Sequence, residues 1–203
     1  MATLYENYNP GGTQGLVGGT TFWRCQTFTP TIGHSLTSVR LRMRRTSGSG
    51  GTVTVSIRVT DGDGKPTGSD LAVSIYDADL LGTIDWHELF FTSFKLAVGT
   101  KYGLVWRTNA ANVSLEVDTS AATYTGGSYG DDNADNGATW TMVTDDDWVF
   151  EEYGIASSGY LWGEGKNLHL IDEGVIERVY APTNNLVTVE GLVVSDKGNV
   201  VYN

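Results

Sequence analysis

Two segments of strict period-two alternation constrain this chain more than any other feature. Residues 36–45 set Val39, Leu41 and Met43 on one face against Arg40, Arg42 and Arg44 on the other; residues 52–60 set Val53, Val55, Ile57 and Val59 against Thr54, Ser56 and Arg58. Side chains alternate sides along a strand, so each segment reads as an antiparallel strand with one face on a core and one toward water. The period returns at 22–28, 71–76, 86–94 and 101–107, and in Val113, Leu115 and Val117; Trp148, Phe150 and Tyr153 bring the core back. In 22–28, Phe22, Arg24, Gln26 and Phe28 alternate with Trp23, Cys25 and Thr27, which leaves the inward face open. The run Asp61-Gly62-Asp63-Gly64-Lys65-Pro66-Thr67-Gly68 is turn chemistry, and 26 Gly against 4 Pro suits many short strands joined by turns. No segment has a helical period. The expected fold is all-β, an antiparallel sandwich.

Three parts are expected. Residues 1–21, rich in Gly, Asn and Tyr and without a period, read as an extended N-terminal arm; residues 22–155 form the sandwich; residues 156–203 form a C-terminal β-hairpin appendage for docking or assembly. The last part repeats one phrase after a small-residue break, Gly154-Ile155-Ala156-Ser157-Ser158-Gly159. Its first copy carries Glu164-Gly165, the run from Leu168 to Asp172-Glu173-Gly174, and Val179-Tyr180. Its second carries Glu190-Gly191, the run from Leu192 to Asp196-Lys197-Gly198, and Val200-Val201-Tyr202. An apolar run, an acidic-Gly turn and a second apolar run describe a hairpin. So small a segment rarely buries enough surface to stand alone, and needs cover from elsewhere. Val187, Val189, Val193, Val200 and Val201 are the candidate assembly positions.

The net charge of −11 argues against nucleic acid as a partner, since a phosphate backbone calls for a dense Lys/Arg surface. No apolar run reaches the roughly 20 residues that span a bilayer, so membrane insertion is not expected. One cysteine, Cys25, excludes an intramolecular disulfide framework and reads as a small buried hydrophobe. The opening residues have no positive or apolar leader segment, which points to synthesis in a cytoplasm.

Calcium has one main candidate site, the loop Asp131-Asp132-Asn133-Ala134-Asp135-Asn136-Gly137. Asp131, Asn133 and Asp135 have the alternate spacing of oxygen ligands on a turning chain, without the glutamate that would complete a calcium loop. No other cofactor is expected. Tyr124, Tyr129 and Trp140 sit in loop sequence and are the candidates for stacking on a glycan, while Trp23, Trp86, Trp106 and Trp148 lie in strands and read as core. Arg40, Arg42 and Arg44 form a basic stripe that requires carboxylate partners, either Glu151-Glu152 or the 131–147 loop, in the same chain or a sister subunit. His34, His87 and His169 stand far apart, with no His-Glu-x-x-His zinc motif and no nucleophile-elbow or Cys-His signature, so an enzyme is not expected.

The order Gln26-x-Phe28, Leu36-Thr37-Ser38-Val39-Arg40-Leu41, Asp63-Gly64-Lys65-Pro66-Thr67-Gly68, Gly99-Thr100-Lys101-Tyr102-Gly103-Leu104-Val105 and Asn136-Gly137-Ala138-Thr139-Trp140 resembles a jelly-roll sandwich domain. Such domains, carbohydrate-binding-module-like in shape, occur in bacterial surface proteins and in bacteriophage virion structural proteins. The phrase Leu161-Trp162-Gly163-Glu164-Gly165 with Leu168-His169-Leu170-Ile171-Asp172 resembles the short β tail of some phage virion proteins. The resemblance implies a non-enzymatic virion protein assembled in the host cytoplasm, such as a capsid decoration, head-fibre or tail-associated module. Its partners would be other virion proteins and sister subunits, with a homo-oligomer expected. The alternative it implies is a carbohydrate- or receptor-binding module that contacts a host surface glycan.

Overall fold

The computed structural model describes residues 2–132 and 134–156, and beyond them six strands between Tyr160 and Tyr202. The chain divides into two compact units, Met1–Ala156 and Ser157–Asn203.

The first unit is a sandwich of two antiparallel sheets. One has seven strands: β1 (Thr3–Tyr8), β2 (Gln14–Val17), β4 (His34–Arg45), β7 (Asp85–Leu96), β9 (Val113–Asp118), β12 (Asp147–Trp148) and β13 (Phe150–Ala156). They run in the order β1-β13-β4-β9-β12, with β7 on β4 and β2 on β9. The other has six strands: β3 (Arg24–Phe28), β5 (Thr52–Thr60), β6 (Pro66–Asp77), β8 (Tyr102–Thr108), β10 (Tyr129–Asp132) and β11 (Trp140–Val143), in the order β11-β10-β3-β8-β5-β6.

The alternation that identifies β4 and β5 also builds the core. Val39, Leu41 and Met43 from one sheet and Val53, Val55 and Ile57 from the other are fully buried, and Trp106 and Trp148 join them. The pattern fails at Val59. A bulge between Ile57 and Val59 shifts the register of β5 against β6, and Val59 is left exposed rather than inward. Strand β3 is covered on both faces: Phe28 enters the main core, while Cys25 packs with Val105 and Trp140 in a second cluster on the outer face of the six-stranded sheet.

The opening of the chain is not the extended arm its composition suggests. β1 pairs with β13 and β2 with β9, so both are strands of the sandwich. The acidic excursion before Trp148 likewise contains β10 and β11, a hairpin that pairs onto β3.

In the second unit β14 (Tyr160–Glu164), β15 (Asn167–Asp172) and β16 (Val175–Tyr180) form one three-stranded antiparallel sheet. β17 (Val187–Val189), β18 (Leu192–Val194) and β19 (Val200–Tyr202) form another. The repeated phrase of the sequence is thus a repeated three-stranded meander. Its register aligns Val187 with Val194 and Val200, and Val193 with Thr188 and Val201.

Candidate functional site

The acidic loop uses its carboxylates internally. Asp131 takes the Arg24 guanidinium and the Tyr129 hydroxyl. Asp132, buried, accepts from the backbone N–H groups of Trp23 (2.9 Å), Ala134 (3.2 Å) and Gly137 (2.9 Å). Asp135 accepts from Ala138 N (2.9 Å), Thr139 N (3.1 Å) and the Thr139 hydroxyl (2.5 Å), and these bonds hold its carboxyl below the usual range. Asn133 lies outside the described residues. Among the described residues no three acidic, His or Cys side chains are placed to hold a metal ion. Short Asp side chains that bond nearby backbone N–H groups organise turns, and Asp132 and Asp135 do so here.

Nor do the loop aromatics form a platform. Tyr129 is 2% exposed and Trp140 5%. The β10–β11 hairpin folds Trp140 against Cys25 and Val105, where its Nε1–H donates to Gly137 O at 3.1 Å. Tyr124 is half-buried, edge-on to Phe150, and its hydroxyl donates to Glu6 Oε2 at 3.0 Å. A glycan needs an open ring face, and none of the three has the exposure expected from its loop setting.

The basic stripe finds partners within the chain. Arg40 pairs with Glu151 (2.7 Å), Arg42 with Glu116 (2.9 Å), and Arg44 donates to Ser114 Oγ (3.1 Å). Strands β13 and β9 flank β4 and deliver these groups, so an inter-subunit role for Arg40, Arg42 and Arg44 is not required.

Two arrangements were not legible in the sequence. The first is a polar seam inside the sandwich. β1 and β13 pair Glu6 with Glu152, and β13 and β4 pair Glu152 with Val39 and Ala156 with His34. His34 is fully buried and Glu152 is 1% exposed. His34 Nε2 lies 2.9 and 3.0 Å from the two Glu152 oxygens, its Nδ1 is 2.8 Å from Ile32 O, and Tyr5 stacks on the ring at 3.7 Å. Nδ1–H must donate to the Ile32 carbonyl, so the His34–Glu152 contact requires a further proton, shared by the pair. Burial opposes the imidazolium, but the Glu152 carboxylate outweighs it and raises the His34 pKa; burial likewise raises that of Glu152 against the pull of His34. The seam continues to Asp147, 1% exposed, which accepts from Gln26 Nε2 (2.8 Å) and Tyr124 N (3.0 Å). Burial pushes Asp147 up to about 6 despite those bonds.

His34, Glu152 and Asp147 shift the same way, upward, while burial lowers His87, whose single contribution runs in the opposite sense below its ordinary 6.5. Each raised group holds in the folded state a proton that the unfolded chain releases, so its favourable contribution is lost as pH rises through the folded pKa. Asp147 acts between its ordinary 3.8 and about 6, and His34 above 6.5. Asp70 and Asp118 are shifted down, and their contribution is lost only as pH falls below 3.8. Thermal melts are therefore expected to show a higher Tm at about pH 5 than at about pH 8. A Tm that is flat or rising over that span would contradict the shared-proton description.

The second arrangement is a shallow cleft of ≈ 170 Å³ on the outer face of the six-stranded sheet, lined by Trp23, Arg107, Thr54 and Asn109 among others. The Arg107 and Arg58 guanidinium groups lie 4.5 and 5.0 Å from the centre of the Trp23 ring. Asp70 bridges both, at 2.7 Å each, and accepts from Ser56 Oγ at 2.9 Å. Burial raises the Asp70 carboxyl, but the bonds from Arg58, Arg107 and Ser56 bring it below its ordinary value. An aromatic ring beside cations, hydroxyls and an amide suits a polar ligand. Trp23 reads from sequence as core, and the signal that it lines a cleft lies in β5 and β8, far along the chain.

No protein-family model matches this chain, and no curated protein sequence does.

Proposed function

We propose that this chain is a non-enzymatic structural module of a bacteriophage virion, and that residues 157–203 assemble with the same residues of sister subunits on the particle. The observation that carries the reading is the second unit itself, two three-stranded meanders built on one repeated phrase. Its strands run three to six residues. Sheets of that size gain little stability alone and become stable when a further sheet or strand covers them. The sister chain offers an identical sheet at every site of assembly, which leads to closed symmetry. The N-terminal segment is not a free arm for such docking, since β1 and β2 are already paired within the sandwich. Ending the chain after Ala156 tests the reading: the sandwich stays folded and the tail-driven assembly is lost. The alternative, a carbohydrate-binding module, would use the polar cleft beside Trp23, with Arg107, Thr54 and Asn109 as its hydrogen-bonding groups, rather than Tyr124, Tyr129 and Trp140 as a stacking platform.

A further inference from the structure

Strand β6 is the outermost strand of the six-stranded sheet and pairs only with β5 among the described residues. Edge strands of soluble proteins are commonly blunted by charge, proline or shortness. The other long edge, β7, carries Asp85, Glu88 and Lys95 around an uncharged run, residues 89–94. β6 is twelve residues long, and its stretch Leu71-Ala72-Val73-Ser74-Ile75-Tyr76 has no charge, proline or glycine. Leu71, Val73 and Ile75 are 40%, 42% and 68% exposed, in a row on the outer face of the sheet. Tyr76 turns to the other side, where its hydroxyl meets His87 Nδ1 at 3.0 Å.

The row is self-complementary. An antiparallel pair of β6 strands related by a two-fold axis at Val73 sets Val73 opposite Val73 and Leu71 opposite Ile75, with Ala72 opposite Ser74. Asp70 then faces Tyr76, and Asp77 faces Ser69, so no like charges meet. Moving the axis half a residue, between Val73 and Ser74, sets Asp70 opposite Asp77 and breaks the apolar row. In a chain of net charge −11, a strand edge that can meet its own copy without opposing carboxylates is a specific feature. We infer that β6 is a self-association edge, and that its partner is β6 of a second copy of this chain, joined antiparallel about Val73 into one continuous sheet. This interface lies in the first unit and does not rest on the proposed role of residues 157–203.

Cysteine cross-linking in the full chain tests it. The one native thiol, Cys25, is fully buried, so a thiol introduced at β6 is the reactive one. V73C places two thiols face to face across the axis, and T67C, exposed on the same strand, places them far apart. Under mild oxidation V73C is expected to form disulfide-linked dimer in at least about tenfold higher yield than T67C, because only matched Cβ atoms reach bonding distance. L71C combined with I75C is expected to cross-link as well. Equal yields from V73C and T67C would overturn the inference. The same comparison in the chain ended after Ala156 keeps the two proposals apart: V73C cross-links there too, whether or not the tail assembles.

Discussion

Replacing His34 with alanine is expected to destabilise the fold by about 3–5 kcal/mol, because it leaves Glu152 as a buried carboxylate without its partner. The pair lies in the interior, with His34 fully buried and Glu152 1% exposed. Water does not replace the imidazole there at low cost. The Ile32 carbonyl would lose its donor as well, and Tyr5 the ring it stacks on. In a chain of this size the loss corresponds to a Tm lower by about 6–20 °C. Glu152→Gln separates charge from shape, since its amide still donates to a neutral His34 Nε2. It is expected to cost far less and to reduce the fall of Tm between about pH 5 and pH 8. A His34→Ala variant as stable as the parent would show that the pair contributes nothing to the fold.

Trp106→Ala is expected to cost a similar amount, about 3–5 kcal/mol, through the cavity it leaves. Trp106 is fully buried in β8, and its indole Nε1–H points across the core to Met43 Sδ at 3.4 Å in the opposite sheet. One ring thus links the two layers, and no neighbour can refill its volume without moving a strand. Trp106→Phe keeps most of the apolar volume and is expected to lose less. Chemical denaturation of the two variants measures the difference; equal losses would mean that the ring's size is not what matters.

The layers of this fold were legible where alternation is strong. β4 and β5 announce themselves because both have one apolar and one polar face, and Arg40 found Glu151 as its charge required. β1 was not legible because its inward position Glu6 is a carboxylate, which in a binary pattern reads as solvent-facing. Its compensation comes from Thr31 and Tyr124, 25 and 118 residues away. β10 and β11 escaped notice because each has only four residues, set among Gly and Asp that signal turns. The same setting made Tyr129 and Trp140 look exposed, whereas the short hairpin buries both, Tyr129 in the main core and Trp140 in the outer cluster with Cys25. The His34–Glu152 pair spans 118 residues, and only the pairing of β13 with β4 brings it together. Local spacing carries no trace of such a contact.

The repeat in residues 157–203 was legible as sequence and returns as two meanders with Val187, Val193, Val200 and Val201 in adjoining strands. Its proposed task is to join copies of the chain. The most direct test is the solution mass, by sedimentation, of the full chain beside that of the chain ended after Ala156. The β6 edge is common to both, so any difference belongs to the tail. More copies per particle in the full chain than in the shortened one is the result this account predicts; the same copy number in both would contradict it.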